Sequence, residues 1–83
     1  MNTFKIIYSE PAREDLDRLQ PKYAAQIVKK IRLLENGLHG DIKRLRDHDV
    51  SYRLRMGDFR ILFDVNEGVI MIQRIKDRKE AYD

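Results

Sequence analysis

The stretch Ser51-Tyr52-Arg53-Leu54-Arg55-Met56-Gly57-Asp58-Phe59-Arg60-Ile61-Leu62-Phe63 decides the fold. Its residues alternate with a period of two on either side of Gly57-Asp58, the pattern of a β-hairpin. With those two residues in the loop, Met56 pairs with Phe59, Leu54 with Ile61 and Tyr52 with Phe63, giving one apolar face. The other face carries Arg53, Arg55 and Arg60, with Arg55 directly opposite Arg60. Like charges facing each other across a ladder weaken a sheet. Arginines concentrated there therefore point to an anion, and a planar guanidinium fork suits phosphate. The alternative is a surface salt-bridged to Asp64 or Glu80.

Working outward, Ile42-Lys43-Arg44-Leu45-Arg46 reads as a short strand with imperfect alternation, and Asp47-His48-Asp49 as a polar turn. On the other side, Asn66-Glu67-Gly68 is a turn sequence leading into a strand from Val69 to Arg74. Near the N-terminus Phe4-Lys5-Ile6-Ile7-Tyr8 reads as a first strand. Ser9 follows as an N-cap, with Pro11 in the first turn, where its missing N–H costs little. Ala12, Leu16 and Leu19 recur at helical spacing, which leaves Arg13, Glu14, Asp15, Asp17 and Arg18 on the wet side. A second helix is predicted from Pro21 to Glu35. Ala24, Ile27, Val28, Ile31 and Leu34 line its apolar side, and Asn36-Gly37 stops it. The short link implies an antiparallel helical hairpin. The last segment, Lys76 to Asp83, is charged apart from Ala81 and Tyr82.

Strand, helical hairpin, then antiparallel meander gives an α+β fold of two layers. The apolar strand faces, Ile61, Phe63, Ile70 and Ile72, should meet the helices, leaving the arginines on the open face. A chain of 83 residues makes a single domain, 1–83. A chain of this size buries roughly 60–65% of its unfolded surface, so an open face is a more realistic site than a deep pocket. The absence of cysteine excludes disulfides, thiolate zinc sites and a cysteine nucleophile. It fits a reducing cytosol. No apolar run approaches the roughly 18 residues of a membrane span, and the N-terminus lacks signal-peptide design.

Net charge is +3, with 37% of residues charged. Between Lys43 and Arg60 the basic residues Lys43, Arg44, Arg46, Arg53, Arg55 and Arg60 face only Asp47, Asp49 and Asp58. A local basic patch on a nearly balanced chain points to a specific anionic partner rather than bulk coating of nucleic acid. His39 and His48 both fall in loops with no shared spacing, which argues against an acid/base pair. Met56 and Met71 read as packing residues. No carboxylate pair, glycine-rich phosphate loop or metal-ligand cluster is present in the sequence.

Three segments carry a family resemblance. Tyr8-Ser9-Glu10-Pro11-Ala12-Arg13-Glu14-Asp15-Leu16-Asp17-Arg18-Leu19 resembles the strand-to-helix opening of RelE/ParE superfamily toxins. Tyr52 to Phe63 resembles the central family hairpin, and Asp77-Arg78-Lys79-Glu80-Ala81-Tyr82 resembles its Arg-x-Glu-x-Tyr ending. The resemblance implies a RelE-like two-layer microbial RNase fold and the toxin half of a type II toxin–antitoxin pair. Its partner would be a RelB-like antitoxin, in a hetero-oligomeric complex. In the RelE branch the toxin enters the ribosomal A site and cuts mRNA there, with no metal or organic cofactor, and so acts in the cytoplasm. The ParE branch shares the fold but inhibits DNA gyrase. Retention of Arg53, Arg55, Arg60, Arg78 and Tyr82 favours the nuclease branch.

Metal-free RNA cleavage proceeds by attack of the ribose 2′-OH on the adjacent phosphate. It needs a proton acceptor, cations for the developing phosphorane charge and a donor for the leaving 5′ oxygen. On the resemblance, Arg60 is assigned to the scissile phosphate and Arg78 to the phosphate or leaving group. Tyr82 would be the base or a stacking platform; its other reading is a terminal aromatic closing the core edge. Arg53 and Arg55, with Lys43, Arg44 and Arg46, would hold the RNA backbone.

Overall fold

The structure, a computed structural model, describes residues 3–46 and 49–77. Its elements are β1 (Lys5–Tyr8), α1 (Glu10–Arg18), α2 (Pro21–Arg32), a 3₁₀ turn (Leu33–Asn36), β2 (Asp41–Arg44), β3 (Tyr52–Met56), β4 (Phe59–Asn66) and β5 (Val69–Asp77). The strands form one sheet in the order β1-β5-β4-β3-β2. β2 to β5 are the expected antiparallel meander, and β1 lies parallel to β5 at one edge. The α+β architecture is the expected one.

The hairpin register is as the alternation requires: Met56 opposite Phe59, Leu54 opposite Ile61, Tyr52 opposite Phe63, and Arg55 opposite Arg60. Gly57 has φ +56, and Glu67 is the only non-glycine with positive φ among the described residues. A positive first and negative second loop residue is the type II′ pattern that suits strand twist. At the β4–β5 turn Glu67 and Gly68 have φ +48 and +79, the type I′ pattern.

Leu54, Ile61, Phe63, Ile70 and Ile72 are fully buried on the inner sheet face. They pack with Ala12 of α1, Ile27 and Ile31 of α2, and Leu34 of the 3₁₀ turn. Tyr52 stacks on Phe63, with ring centroids 5.4 Å apart. α1 begins as its cap sequence dictates, with the Ser9 side chain accepting from the Ala12 N–H at 3.1 Å.

The structure differs from expectation in three places. The second helix ends as α-helix at Arg32, and a tighter 3₁₀ turn carries Leu34 into the core before Gly37 (φ +141) reverses the chain. β5 runs past Arg74 to Asp77, which pairs with Phe59 at the start of β4, and its register against β4 shifts by one residue between Leu62 and Phe63. The inserted residue sets the buried isoleucines at 70, 72 and 75, a spacing that breaks the period of two.

The third difference is Asp15, expected on the wet side of α1 and found only 6% exposed. Its carboxylate accepts from Arg74 Nε at 2.8 Å, Arg74 Nη2 at 3.1 Å and the Ile75 N–H at 2.9 Å. Burial pushes its pKa up, but the Arg74 and Ile75 hydrogen bonds and the charges of Arg74 and Arg18 more than offset that, holding it below the ordinary carboxylate value. A carboxyl with a depressed folded pKa adds stability above its unfolded pKa of about 3.9, and that stability is lost as pH falls through the folded value. The urea midpoint is therefore expected to drop on acidification below about pH 5, and Asp15→Asn should flatten that dependence. An unchanged slope in the variant would show that the carboxylate contributes nothing.

Candidate functional site

Directly paired residues of neighbouring strands share a face. Leu54 and Ile61 point at the helices, so Arg53, Arg55 and Arg60 point away from them, as expected. The register then draws two rows across the outer face. One is Asp41–Arg55–Arg60–Lys76, over β2, β3, β4 and β5. The other is Lys43–Arg53–Leu62–Arg74. The sheet thus places three cations side by side, Arg55, Arg60 and Lys76, where each like-charged contact costs stability unless an anion offsets it. Arg55 and Arg60, with the loop residues Gly57 and Asp58, line a cavity of about 260 Å³.

Arg53 is more enclosed than a surface cation needs to be. Its side chain is 16% exposed and its Nη2 lies 3.8 Å from Asp41 Oδ1. Its buried Nε has no hydrogen-bond partner among the described residues. A buried donor without a partner costs about 1–3 kcal/mol, a cost that an anion entering beside it would lower. Asp64, the salt-bridge partner considered above, accepts instead from the Ser51 N–H at 2.8 Å and from Gln73 Nε2 at 3.2 Å.

The other expected site residues divide. Lys43 is exposed on the outer face beside Arg53. Arg44 pairs with Tyr52 and so sits on the helix-facing side, its guanidinium 5.8 Å from the Tyr52 ring centroid. That geometry is a cation–π contact, and it sets Arg44 apart from Lys43 and Arg53. Arg46 is exposed in the bend after β2, off both rows. Arg78, Tyr82, Glu80 and His48 lie outside the described residues. His39 is exposed in the loop before β2.

Sequence reading missed Lys76, which the register brings opposite Arg60. The signal was hidden by the bulge: only a strand continued past Arg74, with one residue inserted, turns Lys76 to the arginine side. Among the described residues no group of His, Cys, Asp or Glu could hold a metal ion. No helix there is long and apolar enough to cross a membrane.

Comparison with known proteins bears on the fold and the family. Residues 6–82 match the family described as ParE toxin of type II toxin-antitoxin system, parDE. Toxin RelE3 of Methanocaldococcus jannaschii is 30% identical, over 95% of this chain and 96% of that protein. The archaeal RelE–RelB complex of Pyrococcus horikoshii contains a chain of the same fold, with TM-score 0.78, 25% identity, and coverage of 95% of this chain and 99% of that one. The RelBE2 toxin–antitoxin complex of Mycobacterium tuberculosis gives TM-score 0.79 at 23% identity, over 92% of this chain and 99% of that one, a likeness of fold. With the hairpin, the cap and the sheet order already in place, these matches settle the family: the chain belongs to the RelE/ParE superfamily of toxins from type II toxin–antitoxin systems.

Proposed function

We propose that this toxin is an endoribonuclease that cuts mRNA in the ribosomal A site and so inhibits translation. The observation that carries the reading is the outer-face row Arg55–Arg60–Lys76, flanked by Arg53. A phosphorane gathers negative charge on its equatorial oxygens, and permanently charged guanidinium groups fixed on a sheet stabilise it without reorganising. Arg60, central in the row, would contact the scissile phosphate, with Arg53 and Arg55 holding the flanking backbone. The family resemblance assigns Arg78 to the phosphate or leaving group and Tyr82 to the base or a base-stacking platform. Arginine supplies the positive charge, so the reading calls for no metal and no organic cofactor.

The sequence offers few acid/base groups, so the ribosome would supply orientation by holding the mRNA in reactive geometry. A ribosome substrate places the action in the cytoplasm. The partner that restrains it would be a RelB-like antitoxin, a reading supported by solved RelE–RelB complexes of the same fold. A disordered antitoxin segment that folds on binding would cover the toxin surface and block access to RNA.

The test is cleavage of labelled mRNA on programmed ribosomes beside the same RNA free in solution. Cutting on the ribosome and little on free RNA is the expected result. Intact mRNA in both, together with blocked gyrase supercoiling, would overturn it. That outcome would favour the second reading, a gyrase-inhibiting toxin, which the match to the ParE family model supports.

A further inference from the structure

β5 outruns its parallel partner. β1 stops at Tyr8, which pairs with Ile72, while β5 continues to Asp77. The β1-side edge of residues 73–77 would otherwise present unpaired backbone groups. α1 covers it with side chains. Ser9 Oγ donates to the Gln73 carbonyl at 2.9 Å, and the Asp15 carboxylate accepts from the Ile75 N–H at 2.9 Å. The same carboxylate holds Arg74 through Nε at 2.8 Å and Nη2 at 3.1 Å.

This stretch is also the part of the sheet whose register is least determined by alternation. Residues 69–72 and 74–77 pair with β4 on either side of the shift between Leu62 and Phe63. A strand that slips by one residue sends every side chain to the other face. Slippage past the bulge would expose Ile75, now 4% exposed, and carry Lys76 toward the helices. Asp15 grips the two residues before Lys76 from the side opposite β4. Two hydrogen-bonding directions, one from β4 and one from α1, leave that stretch a single register.

We propose that Asp15 is a positioning residue for the cationic row: it fixes the register of Arg74–Asp77 past the bulge and so holds Lys76 opposite Arg60. The functional half of this inference rests on reading the row as a phosphate site. Asp15 lies on the helix side of the sheet edge, bonded to Arg74 and Ile75, and acts only through them.

Asp15→Asn removes the charge at nearly constant shape. Two readouts separate positioning from stability. The first is structural: NMR cross-strand contacts between Arg60 and Lys76, and hydrogen exchange at the Ile75 amide. The second is kinetic: mRNA cleavage on programmed ribosomes, compared with Ile31→Val, a core variant on α2 that lowers stability without removing any hydrogen bond to the strand. In Asp15→Asn the Arg60–Lys76 contact should weaken and the Ile75 amide should exchange faster. The kcat should fall about 10²-fold with KM nearly unchanged, the effect of displacing a group near the reacting phosphate by about 1 Å. Ile31→Val should keep the wild-type rate.

Should Asp15→Asn fail to fold, Arg74→Gln leaves the Ile75 bond in place and should show a smaller loss in both readouts. A folded variant that keeps the Arg60–Lys76 contact and cuts at the wild-type rate overturns the proposal. If the contact is lost while wild-type protein itself cuts no RNA, the register assignment stands and the phosphate reading falls.

Discussion

Arg60→Ala is expected to slow mRNA cleavage on programmed ribosomes by about 10²–10³-fold, the loss associated with removing one preorganised charge-stabilising donor. Arg60 sits in β4, at the centre of the cationic row, between Arg55 and Lys76. On the proposed reading, a single phosphate seated there would meet cations from three strands. The substitution should cost little stability. It removes a side chain from the outer face, away from the core, so the free energy of unfolding should change by no more than about 1 kcal/mol. Arg60→Lys keeps the charge but loses the planar fork, and should recover only part of the rate. Growth arrest in cells should follow the same order. Full toxicity in Arg60→Ala would defeat the assignment of that residue to the scissile phosphate.

The largest stability loss is expected at Phe63. This side chain is fully buried in β4, stacked on Tyr52 and packed into the cluster that joins the sheet to α2. Phe63→Ala should cost about 3–5 kcal/mol, lost transfer energy plus the cavity left behind. Small domains have only about 5–15 kcal/mol in total, and each lost kcal/mol lowers Tm by roughly 4–8 °C at this size. Thermal unfolding followed by circular dichroism should show a Tm drop of tens of degrees or no cooperative transition. Leu62→Ala, one residue away on the outer face, is the control and should cost much less. Equal effects at the two positions would contradict the assignment of faces.

The hairpin was legible because its information is local. A two-residue glycine loop and strict alternation determine which residues oppose each other, and that places Arg53, Arg55 and Arg60 on one face. The Ser9 cap and the start of α1 were legible for the same reason. Asp15 was misread although its position was visible: it lies three residues after Ala12, on the apolar stripe. A carboxylate in that stripe requires a partner, and Arg74 is 59 residues away in sequence. Lys76 was missed because one inserted residue moved it between faces. Arg44 was grouped with the outer-face cations by charge alone, whereas pairing with Tyr52 turns it to the other side.

The amino-acid pattern alone determined the order of strands and helices, the central pairing and the side of the sheet on which the arginines stand, since each follows from turns and periodicities a few residues long. The folded chain alone decided that β1 runs parallel beside β5, that β5 crosses a bulge on its way to Asp77, and that Asp15 caps the Ile75 N–H on its open edge. Those features depend on contacts between distant segments competing for the same hydrogen-bonding groups, and no local stretch records which partner wins.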